Sequence, residues 1–415
     1  MNNNNIVIRS ITYTINLSRI RDKEYLSYVE NNINLIRKKF EDNKVRIRTI
    51  RFNIIALDTL DPLAEDILFE NIEKLSKFSN YLGLRWFNIS FNLIKQQKSQ
   101  VDYLCKISFQ ILEKFENSFI NLMVAQEHIN NYAVMKSAEL IKQVSYLKVN
   151  GIDNFRLGVS LNIEPNTPFF PFSYSNKNDS FSIAIESTQS MLASIKHNFD
   201  DDYAELKKNI IDDLSNDLVL IDNLSRNLAS KYDLAYHGQD ISLSPYPDEN
   251  ISVIEILNHL GIDDFGSNGT QFLTSYLTSI LKDIIVKTKI KAIGFNGVMY
   301  SLLEDKLMCQ AHNKKNFSID SIILYSTVCG CGLDMVPLPG DVLKEEIASM
   351  ILDVATTSIK LNKPLGVRVL PIQGKKEDEM TELKLDFLTN TQIPKVKYIH
   401  VNNDLFNIDE FFIKI

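Results

Sequence analysis

The sequence lacks the long apolar runs and the leader that would place a protein in a membrane or outside the cell. None of its uncharged apolar runs approaches the roughly 20 residues that a membrane helix needs. Residues 1–5, Met-Asn-Asn-Asn-Asn, have neither the basic nor the apolar part of a secretion signal. We therefore expect a cytoplasmic protein without a membrane partner.

Clustered positive charge and cysteines are also scarce. The net charge is -7 and no Lys/Arg-rich block offsets it, so a nucleic-acid partner is not expected. The cysteines are too few and too unevenly spaced for a secreted disulfide framework. They are Cys105, Cys309, Cys329 and Cys331. The Cys-x-x-His segment at 309–312 followed by Cys-Gly-Cys at 329–331 is not a standard zinc spacing, so neither a metal nor a cofactor is predicted.

The chain does contain an alternation of strand and helix patterns. Hydrophobic residues make up 45% of it and charged residues 23%, a composition that supports a packed core. Predicted strands lie at 6–15, 45–55, 84–91, 120–124 and 155–163, and predicted helices at 24–40, 61–81, 101–119 and from 124 to about 147. Because parallel strands need a crossover between them, this order predicts an α/β sheet or barrel.

Long helices and a glycine-rich second half follow. Apolar residues keep helical spacing between 191 and 232, which predicts one or two long outer helices, a possible excursion at 190–232. Further helices are predicted at 270–288, 298–309, 319–328 and 342–361, with a strand at 366–372. No repeat or linker divides the chain. We therefore expect a single large α/β domain over 1–415, with a C-terminal portion at 365–415.

The segment 326–341 is the most informative stretch. Its core, Cys329-Gly330-Cys331-Gly332, follows a predicted helix end and favours tight turns. A helix dipole or a nearby cation can hold such a cysteine as thiolate, so Cys329 is a candidate nucleophile; the alternative is a small residue buried beneath a tight loop. Asp334, which we place within this glycine loop, is a candidate for substrate contact and acid/base chemistry.

Two glutamates are candidates to act with Cys329. The loop 164–171 follows a strand, and its three prolines among aromatic residues favour a rigid pocket wall. Glu164 begins this loop and Glu186 ends the strand-like run 181–186, so the two are a possible acid pair at neighbouring strand ends. Surface or capping roles are the alternative for both.

A glycine turn before a predicted helix is a candidate anion site. It contains Gly266, Asn268, Gly269 and Thr270. Free amides and the helix dipole at such a turn can hold a phosphate or carboxylate. The spacing matches neither the P-loop nor the dinucleotide fingerprint, and a simple capped turn explains the same pattern.

Three charged residues complete the candidate ligand-binding set. Arg368 lies inside an apolar strand, where a charge requires an acidic partner or an anionic ligand. Lys375 follows on the same rim. Asp240 is predicted to head another strand-like run.

Taken in order, these segments resemble the domain-of-unknown-function 711 (UPF0210-like) family, often labelled "PFL family protein". The matching motifs span about residues 155–380, and 328–341 is the specific one. The others lie at 165–171, 183–187, 240–245, 265–270, 294–297, 304–305 and 361–376. Asn296, in the Gly-Phe-Asn-Gly motif, joins the candidate ligand-binding residues through this resemblance.

The resemblance implies a ten-stranded α/β barrel like that of pyruvate formate-lyase, with long outer helices and a cysteine-bearing loop entering the barrel. Such enzymes carry a glycyl radical in an Arg-Val-x-Gly-aromatic motif near the C-terminus. Here Arg368-Val369 is followed by Leu370-Pro371, so radical catalysis is not expected. Cys329 matches the family's cysteine, whereas Cys331 stands where the resemblance implies threonine.

Two functions are consistent with these residues. The first is an enzyme acting on a small anionic metabolite, with Cys329 as nucleophile or proton donor and carboxylates as acid and base. The second is a metabolite-binding or regulatory protein without catalysis. A homodimer is the expected assembly. The enzyme hypothesis requires one cavity to collect Cys329, Glu164, Asp240 and Arg368.

Overall fold

The chain forms a mixed α/β structure, and the computed structural model describes residues 7–58, 62–247 and 251–397. In chain order the strands are β1 (Val7–Thr14), β2 (Ile47–Asn53), β3 (Phe87–Asn92), β4 (Ser118–Ala125), β5 (Leu157–Leu161), β6 (Ser180–Glu186), β7 (Ala235–Asp240), β8 (Gly332–Pro339) and β9 (Leu365–Ile372). Within the described residues they make one nine-stranded sheet, in the order β7-β6-β1-β2-β3-β4-β5-β9-β8. The prediction of an α/β fold is confirmed.

Helices connect most of these strands. They are α1 (Lys23–Asp42), α2 (Glu65–Tyr81), α3 (Lys98–Lys114), α4 (Asn131–Val144), α5 (Thr188–His197), α6 (Tyr203–Tyr232), α7 (Val253–His259), α8 (Thr270–Thr288), α9 (Lys306–Asn313), α10 (Ile319–Tyr325) and α11 (Lys344–Lys360). No helix in the described part of the chain is both long enough and apolar enough to span a membrane. The stretch predicted as one or two long helices contains α5 and α6, and α6 packs against α8 and α1. Of the predicted C-terminal portion, residues 398–415 lie outside the described part.

Strand direction changes twice across the sheet. Strands β1 to β5 are parallel to one another. At one edge of this group β6 is antiparallel to β1, and β7 is parallel to β6. At the other edge β9 is antiparallel to β5, and β8 is parallel to β9. The amino ends of β1 to β5 therefore lie at the same edge as the carboxyl ends of β6 and β7.

The central strands have two unlike faces, and both are buried. Ile89 and Leu122 represent the apolar face, which joins the helices in one hydrophobic core. The other face carries Asn88, Ser90 and Asn121, all 0% exposed. Since successive side chains of a strand point to opposite faces, this alternation is a property of the whole strand. A buried polar face needs hydrogen-bond partners, because an unpaired polar group is costly to remove from water.

The proline-aromatic loop supplies partners to this polar face. We call residues 165–175 the inner loop. Thr12 Oγ1 in β1 donates to the Pro168 carbonyl at 2.9 Å. In β3, Asn88 Nδ2 and Ser90 Oγ both donate to the Ser173 carbonyl, at 2.5 and 2.6 Å. The inner loop therefore lies against the polar face of the sheet.

Glycines in two strands make room for the inner loop. A Cβ on Gly158 would lie 2.4 Å from Pro171 Cγ, and one on Gly366 would lie 2.5 Å from the Phe172 ring. Both distances are far below ordinary van der Waals contact. The strands β5 and β9 can approach the loop this closely only because these positions lack a side chain.

Residues 292–301, which we call the linking segment, bridge the two outermost strands of the sheet. Gln239 of β7 pairs with Ala292, Leu243 pairs with Val298, and Ser301 pairs with Asp334 of β8. The prediction of a helix at 298–309 is therefore wrong over its first part, and the helix α9 begins only at Lys306. The backbone of the segment is already paired: the Gly297 carbonyl accepts from Leu243 N, and the Val298 carbonyl accepts from Gly330 N.

Three other predictions are corrected by the strands. The helix predicted at 101–119 ends at Lys114, and β4 begins at Ser118. Asp334 lies in strand β8 and not in a loop, because the glycine turn ends at Gly332. Asp240 ends strand β7 instead of heading a strand.

The close contact at Gly366 gives a test of this packing. We expect Gly366→Ala to lower the free energy of unfolding by about 1–3 kcal/mol, because an added methyl group overpacks the site. Phe172→Leu removes the ring that the methyl group would meet, so the double variant should lose less than the sum of the two single losses. Urea unfolding of the four proteins measures this coupling. Strictly additive losses would contradict the described contact.

Candidate functional site

A small cavity lies between the sheet, the inner loop and the linking segment. It leaves about 80 Å³ for the centres of water-sized atoms. One enclosed water needs roughly 10–15 Å³ on this measure, so the cavity has room for on the order of five waters or a metabolite of similar size. Its wall consists of Arg9, Arg51, Trp86, Phe119, Phe155, Phe169, Phe170, Phe172, Ser244, Pro245, Phe295, Met299, Ser301, Glu304, Cys331, Asp334 and Arg368.

A buried ion network forms one side of the cavity. Arg368 on β9 donates through Nε to Asp334 Oδ1 at 2.6 Å and through Nη2 to Asp334 Oδ2 at 2.9 Å. The same Nη2 lies 3.1 Å from Glu304 Oε2, which also accepts from Ser301 Oγ at 2.5 Å. The expectation that Arg368 needs an acidic partner is confirmed.

Burial and charge act in opposite directions on the pKa values of this network. Burial raises the pKa of Asp334, and Arg368 only partly offsets it. Burial also acts to raise the pKa of Glu304, but Arg368 and Arg9 lower it below its usual value overall. Burial lowers the pKa of Arg368, yet the two carboxylates outweigh it and raise that pKa. The guanidinium is therefore cationic at neutral pH.

An irregularity in β8 lies next to Asp334. The pairing of β8 with β9 shifts by one residue between Asp334 and Val336. Met335, between them, has a φ of 50° and is fully buried. A non-glycine residue in this region is uncommon, and bulges next to functional sites re-aim side chains. Just before the shift, Asp334 pairs with Arg368 on one side and bridges Ser301 on the other.

Arg51 on β2 is the second guanidinium in the wall. Its Nε donates to Thr49 Oγ1 at 2.9 Å, and its guanidinium carbon lies 5.0 Å from the centre of the Phe170 ring. Within the described residues it has no ion pair with a carboxylate. Burial lowers its pKa to about 9, with repulsion from Arg9 as the next cause, so it still carries its charge at neutral pH. Glu304 acts on this charge only at longer range.

Arg9 on β1 is the third guanidinium, and it connects the cavity to Glu186. Arg9 Nη1 donates to the Pro245 carbonyl at 2.8 Å and lies 3.6 Å from Glu186 Oε2. Glu186 is bound more tightly by Arg48, whose Nε and Nη2 contact its two oxygens at 2.8 and 2.7 Å. Glu186 therefore lies behind Arg9, outside the cavity wall.

Seven aromatic residues form the remaining wall. Phe119 lies at the centre of one group, with ring centroids 5.2 Å from Trp86, 5.2 Å from Phe155 and 5.5 Å from Phe170. Such edge-to-face contacts hold the rings in fixed orientations. The cavity thus combines three guanidinium groups and two carboxylates with rigid apolar walls.

The two neighbouring cysteines lie in different surroundings. Cys331 lines this cavity, and Cys329 lines a separate groove. The Cys331 thiol contacts the Cys329 sulfur, which lowers the pKa of Cys329, and Lys363 adds to this effect. The same contact and burial raise the pKa of Cys331. Cys329 therefore loses its proton more readily than an isolated thiol does, and Cys331 then loses its proton with more difficulty.

The four residues that the enzyme hypothesis requires in one cavity do not all lie in it. Arg368 and Asp334 line the cavity, whereas Cys329 and Asp240 do not. Glu164 is exposed at the start of the inner loop and does not line it either. Glu164 and Glu186 are not found as a pair in the described residues.

Asp240 and Asn296 hold the linking segment in place. The Asp240 carboxylate is fully buried and accepts from the amides of Phe295 and Asn296, at 2.7 and 3.2 Å, and from Ser242. Burial raises its pKa to about 6 despite these hydrogen bonds. Asn296 Oδ1 accepts from Ile241 N at 3.1 Å. These contacts fix the turn that carries Phe295 into the cavity wall.

The remaining predicted ligand residues also lie away from the cavity. In the glycine turn, Gly269 adopts a φ of 103° before α8, and Gly266 N donates to Thr270 Oγ1 at 3.2 Å. Asn268, in the same turn, does not line the cavity. Lys375 pairs with Glu382 at 2.7 Å. In the described ranges, no group of three or more metal-ligating side chains is found.

Sequence reasoning did not single out Arg9, Arg51 and Glu304 as site residues. One signal was available for Arg51: it alternates with Ile50 and Phe52, which are buried on the opposite face of β2. A charged residue between buried apolar neighbours is a candidate for a polar interior. Nothing in the sequence shows that strands β1, β2 and β9 bring their arginines to one cavity.

Comparison with known proteins gives a family match over most of the chain. The model of the family described as "Uncharacterised ACR (DUF711)" matches residues 1–384. A UPF0210 protein of Pyrobaculum aerophilum is 27% identical over 269 residues, which is 64% of this chain and 59% of the relative. A UPF0210 protein of Oenococcus oeni is 28% identical over 62% of this chain and 58% of its own length.

The length of the match varies among relatives. In the two proteins above, the matched region spans less than two thirds of the relative. A UPF0210 protein of Methanopyrus kandleri is 24% identical over 402 residues, covering 91% of this chain and 89% of the relative. None of these names states a reaction, a substrate or a partner.

The ion network at Arg368 gives a test by pH. Arg368→Met leaves Asp334 and Glu304 buried without their cation, so we expect a loss of about 3–5 kcal/mol in the free energy of unfolding near neutral pH. In this variant burial acts on Asp334 without its main opposing charge, so we expect its folded pKa to lie further above the unfolded value and the pKa of Glu304 to rise from its lowered value. The folded state keeps these carboxyl groups protonated at low pH. The contribution of this protonation to the free energy of unfolding is lost as pH rises through the folded pKa. The loss should therefore be larger at about pH 8 than at about pH 5.

The double variant Arg368→Met, Asp334→Asn is the matched control. It removes one of the stranded charges and should flatten the pH dependence. Urea unfolding at the two pH values measures both variants. An equal loss at both pH values for Arg368→Met would contradict the network.

Proposed function

This chain belongs to the DUF711 family, and from that premise we propose that it binds a small anionic metabolite in the arginine-lined cavity. The observation that carries the proposal is Arg51, whose guanidinium faces the cavity without a carboxylate partner in the described residues. Burying a charge is unfavourable unless it is paired. A bound anion supplies the missing partner.

We further propose that the sheet closes into a ten-stranded barrel like that of pyruvate formate-lyase, with the linking segment as the tenth strand. Support comes from its bridges to β7 on one side and to β8 on the other. A closed barrel explains why the second face of the sheet is buried and why the inner loop lies on it. One α/β domain built on this sheet, a homodimer and a cytoplasmic location stay predictions.

Size and wall chemistry define the class of ligand. The cavity volume of about 80 Å³ admits a molecule of only a few heavy atoms. Guanidinium groups bind carboxylates with two parallel hydrogen bonds. The rings of Phe119 and Phe170 favour an apolar or planar body on the remaining side. We therefore propose a short-chain carboxylate.

Catalysis and simple binding remain two candidate functions. For an enzyme, Cys331 offers a thiol to the cavity and Cys329 a second sulfur in contact with it, while Asp334 and Glu304 are the carboxylates of the wall. Asp334, Glu186 and Glu164 are the acids expected from sequence, and only Asp334 is in reach of the cavity. Binding without catalysis is supported by the bidentate Arg368 contact, because it holds the Asp334 carboxylate in an ion pair.

Isothermal titration with acetate, pyruvate, lactate and malonate tests the binding proposal. We expect at least one short carboxylate to bind, and Arg51→Gln to weaken it by about 10- to 100-fold, because a hydrogen bond to a charged group contributes about 1.5–3 kcal/mol. The affinity of Arg51→Lys should lie between those of the unmodified protein and of Arg51→Gln. Without ligand, Arg51→Gln should unfold at the same or a higher temperature than the unmodified protein, since it removes a partly buried charge that has no carboxylate partner in the described residues.

Arg226→Gln is the matched control, because Arg226 pairs with Asp222 in helix α6, away from the cavity. It should leave binding unchanged. The proposal fails if no short carboxylate binds, or if Arg51→Gln binds it as well as the unmodified protein does. Deuterium exchange into the bound carboxylate, followed by NMR, separates catalysis of proton transfer from binding alone.

A further inference from the structure

A second groove lies beside the cavity, on the other side of the Cys329-Gly330-Cys331 segment. We call it the outer groove; it has a volume of about 510 Å³ on the same measure and contains Cys329, Lys282 and Lys363 in its wall. Phe295 lines both the cavity and the outer groove. Among the described residues, the outer groove has no acidic side chain in its wall. Its charge therefore favours an anionic occupant.

The Cys329 sulfur lies in an arrangement that stabilises a thiolate. Hydrogen bonding from the Cys331 thiol, the charge of Lys363 and the amides of Cys331 and Gly332 together lower the pKa of Cys329, against the effect of burial. Lys363 Nζ donates to the Ser326 carbonyl at 2.9 Å and to the Cys329 carbonyl, so its positive charge lies beside the same segment. The closely spaced amides and the ammonium group both favour negative charge on this sulfur.

The Cys331 sulfur is held next to the Cys329 sulfur. It accepts a hydrogen bond from Tyr300 N at 3.1 Å, and only Gly330 separates it from Cys329 in the chain. Both cysteines are almost enclosed, with exposures of 1% and 2%. Cys329 meets the outer groove and Cys331 meets the cavity, so a reagent entering the groove reaches Cys329 first.

We propose that Cys329 and Cys331 form a redox-active dithiol, and that the outer groove admits an anionic low-molecular-weight disulfide as its oxidant. The cation pair of the groove selects the charge of the disulfide. The enclosure of both sulfurs limits the reaction to a disulfide that the groove admits.

The reaction proceeds in two exchanges. The Cys329 thiolate attacks one sulfur of the incoming disulfide, a mixed disulfide forms, and the first thiolate of the reagent leaves. Cys331 then loses its proton and attacks the Cys329 sulfur, which forms the Cys329–Cys331 disulfide and releases the second thiolate. The two protein thiols are oxidised by two electrons, the reagent disulfide is reduced to two thiols, and the two protons of the protein thiols pass to these products.

Oxidised glutathione, an anionic disulfide, is the probe for the test. The folded protein is treated with it, quenched by alkylation and digested with trypsin, which releases both cysteines in one peptide, residues 316–344. We expect this peptide to lose two hydrogens and to resist alkylation. Cys105→Ser is the control, because Cys105 is buried in α3 and lines a different groove. It should leave the result unchanged.

Single serine variants identify the order of attack. Cys331→Ser should stop at a persistent glutathione adduct on Cys329. Cys329→Ser should leave Cys331 reduced. An adduct on Cys331 in the Cys329→Ser variant would overturn the proposal. So would a folded protein whose two thiols do not react with oxidised glutathione and react only after denaturation.

Charge selection is tested with cystamine, a cationic disulfide of similar reactivity. We expect oxidised glutathione to react about tenfold faster than cystamine, and Lys282→Gln to reduce this ratio, because the groove attracts anions. Lys282 is exposed, so this variant should fold normally. Equal rates for the two disulfides would contradict the assignment of the oxidant class.

Discussion

The structure depends on one constraint: both faces of the sheet are buried, and one of them is polar. Asn88, Ser90 and Asn121 cannot be hydrated, so their partners must come from the protein. The inner loop provides the Ser173 carbonyl as acceptor for the Asn88 amide and the Ser90 hydroxyl, and it brings the aromatic rings of 169–172 with it. The cavity lies beside Phe169, Phe170 and Phe172 of the inner loop, where arginines replace the small polar residues of the strands.

This constraint also explains which parts of the fold follow from sequence. Helices such as α8 are predictable because their apolar spacing is local, and strands such as β9 because apolar residues dominate a short run. The end of the linking segment, 298–301, falls within a predicted helix, since nothing local reveals that Ser301 pairs with Asp334 and that Gly330 takes up the Val298 carbonyl. Tertiary hydrogen bonds override local preference there.

The candidate site was less predictable than the fold. Arg368 could be inferred to need an acid, because its strand is apolar, but the identity of Asp334 as that acid depends on the register of β8 against β9. Arg51 and Arg9 come from strands 40 residues apart in the chain and meet only through the pairing of β1 with β2. The Cys329-Gly330-Cys331 motif was conspicuous in the sequence, yet only the structure shows that its two sulfurs face different spaces.

The central claim is that the cavity holds a small anion at Arg51. A high-resolution crystal structure of protein purified and crystallised with a short carboxylate tests it most directly. We expect density for the carboxylate about 2.7–2.9 Å from the Arg51 guanidinium, the distance of a charge-assisted hydrogen bond. An empty or water-filled cavity at saturating carboxylate, or an Arg51 side chain paired with a protein carboxylate, would contradict it.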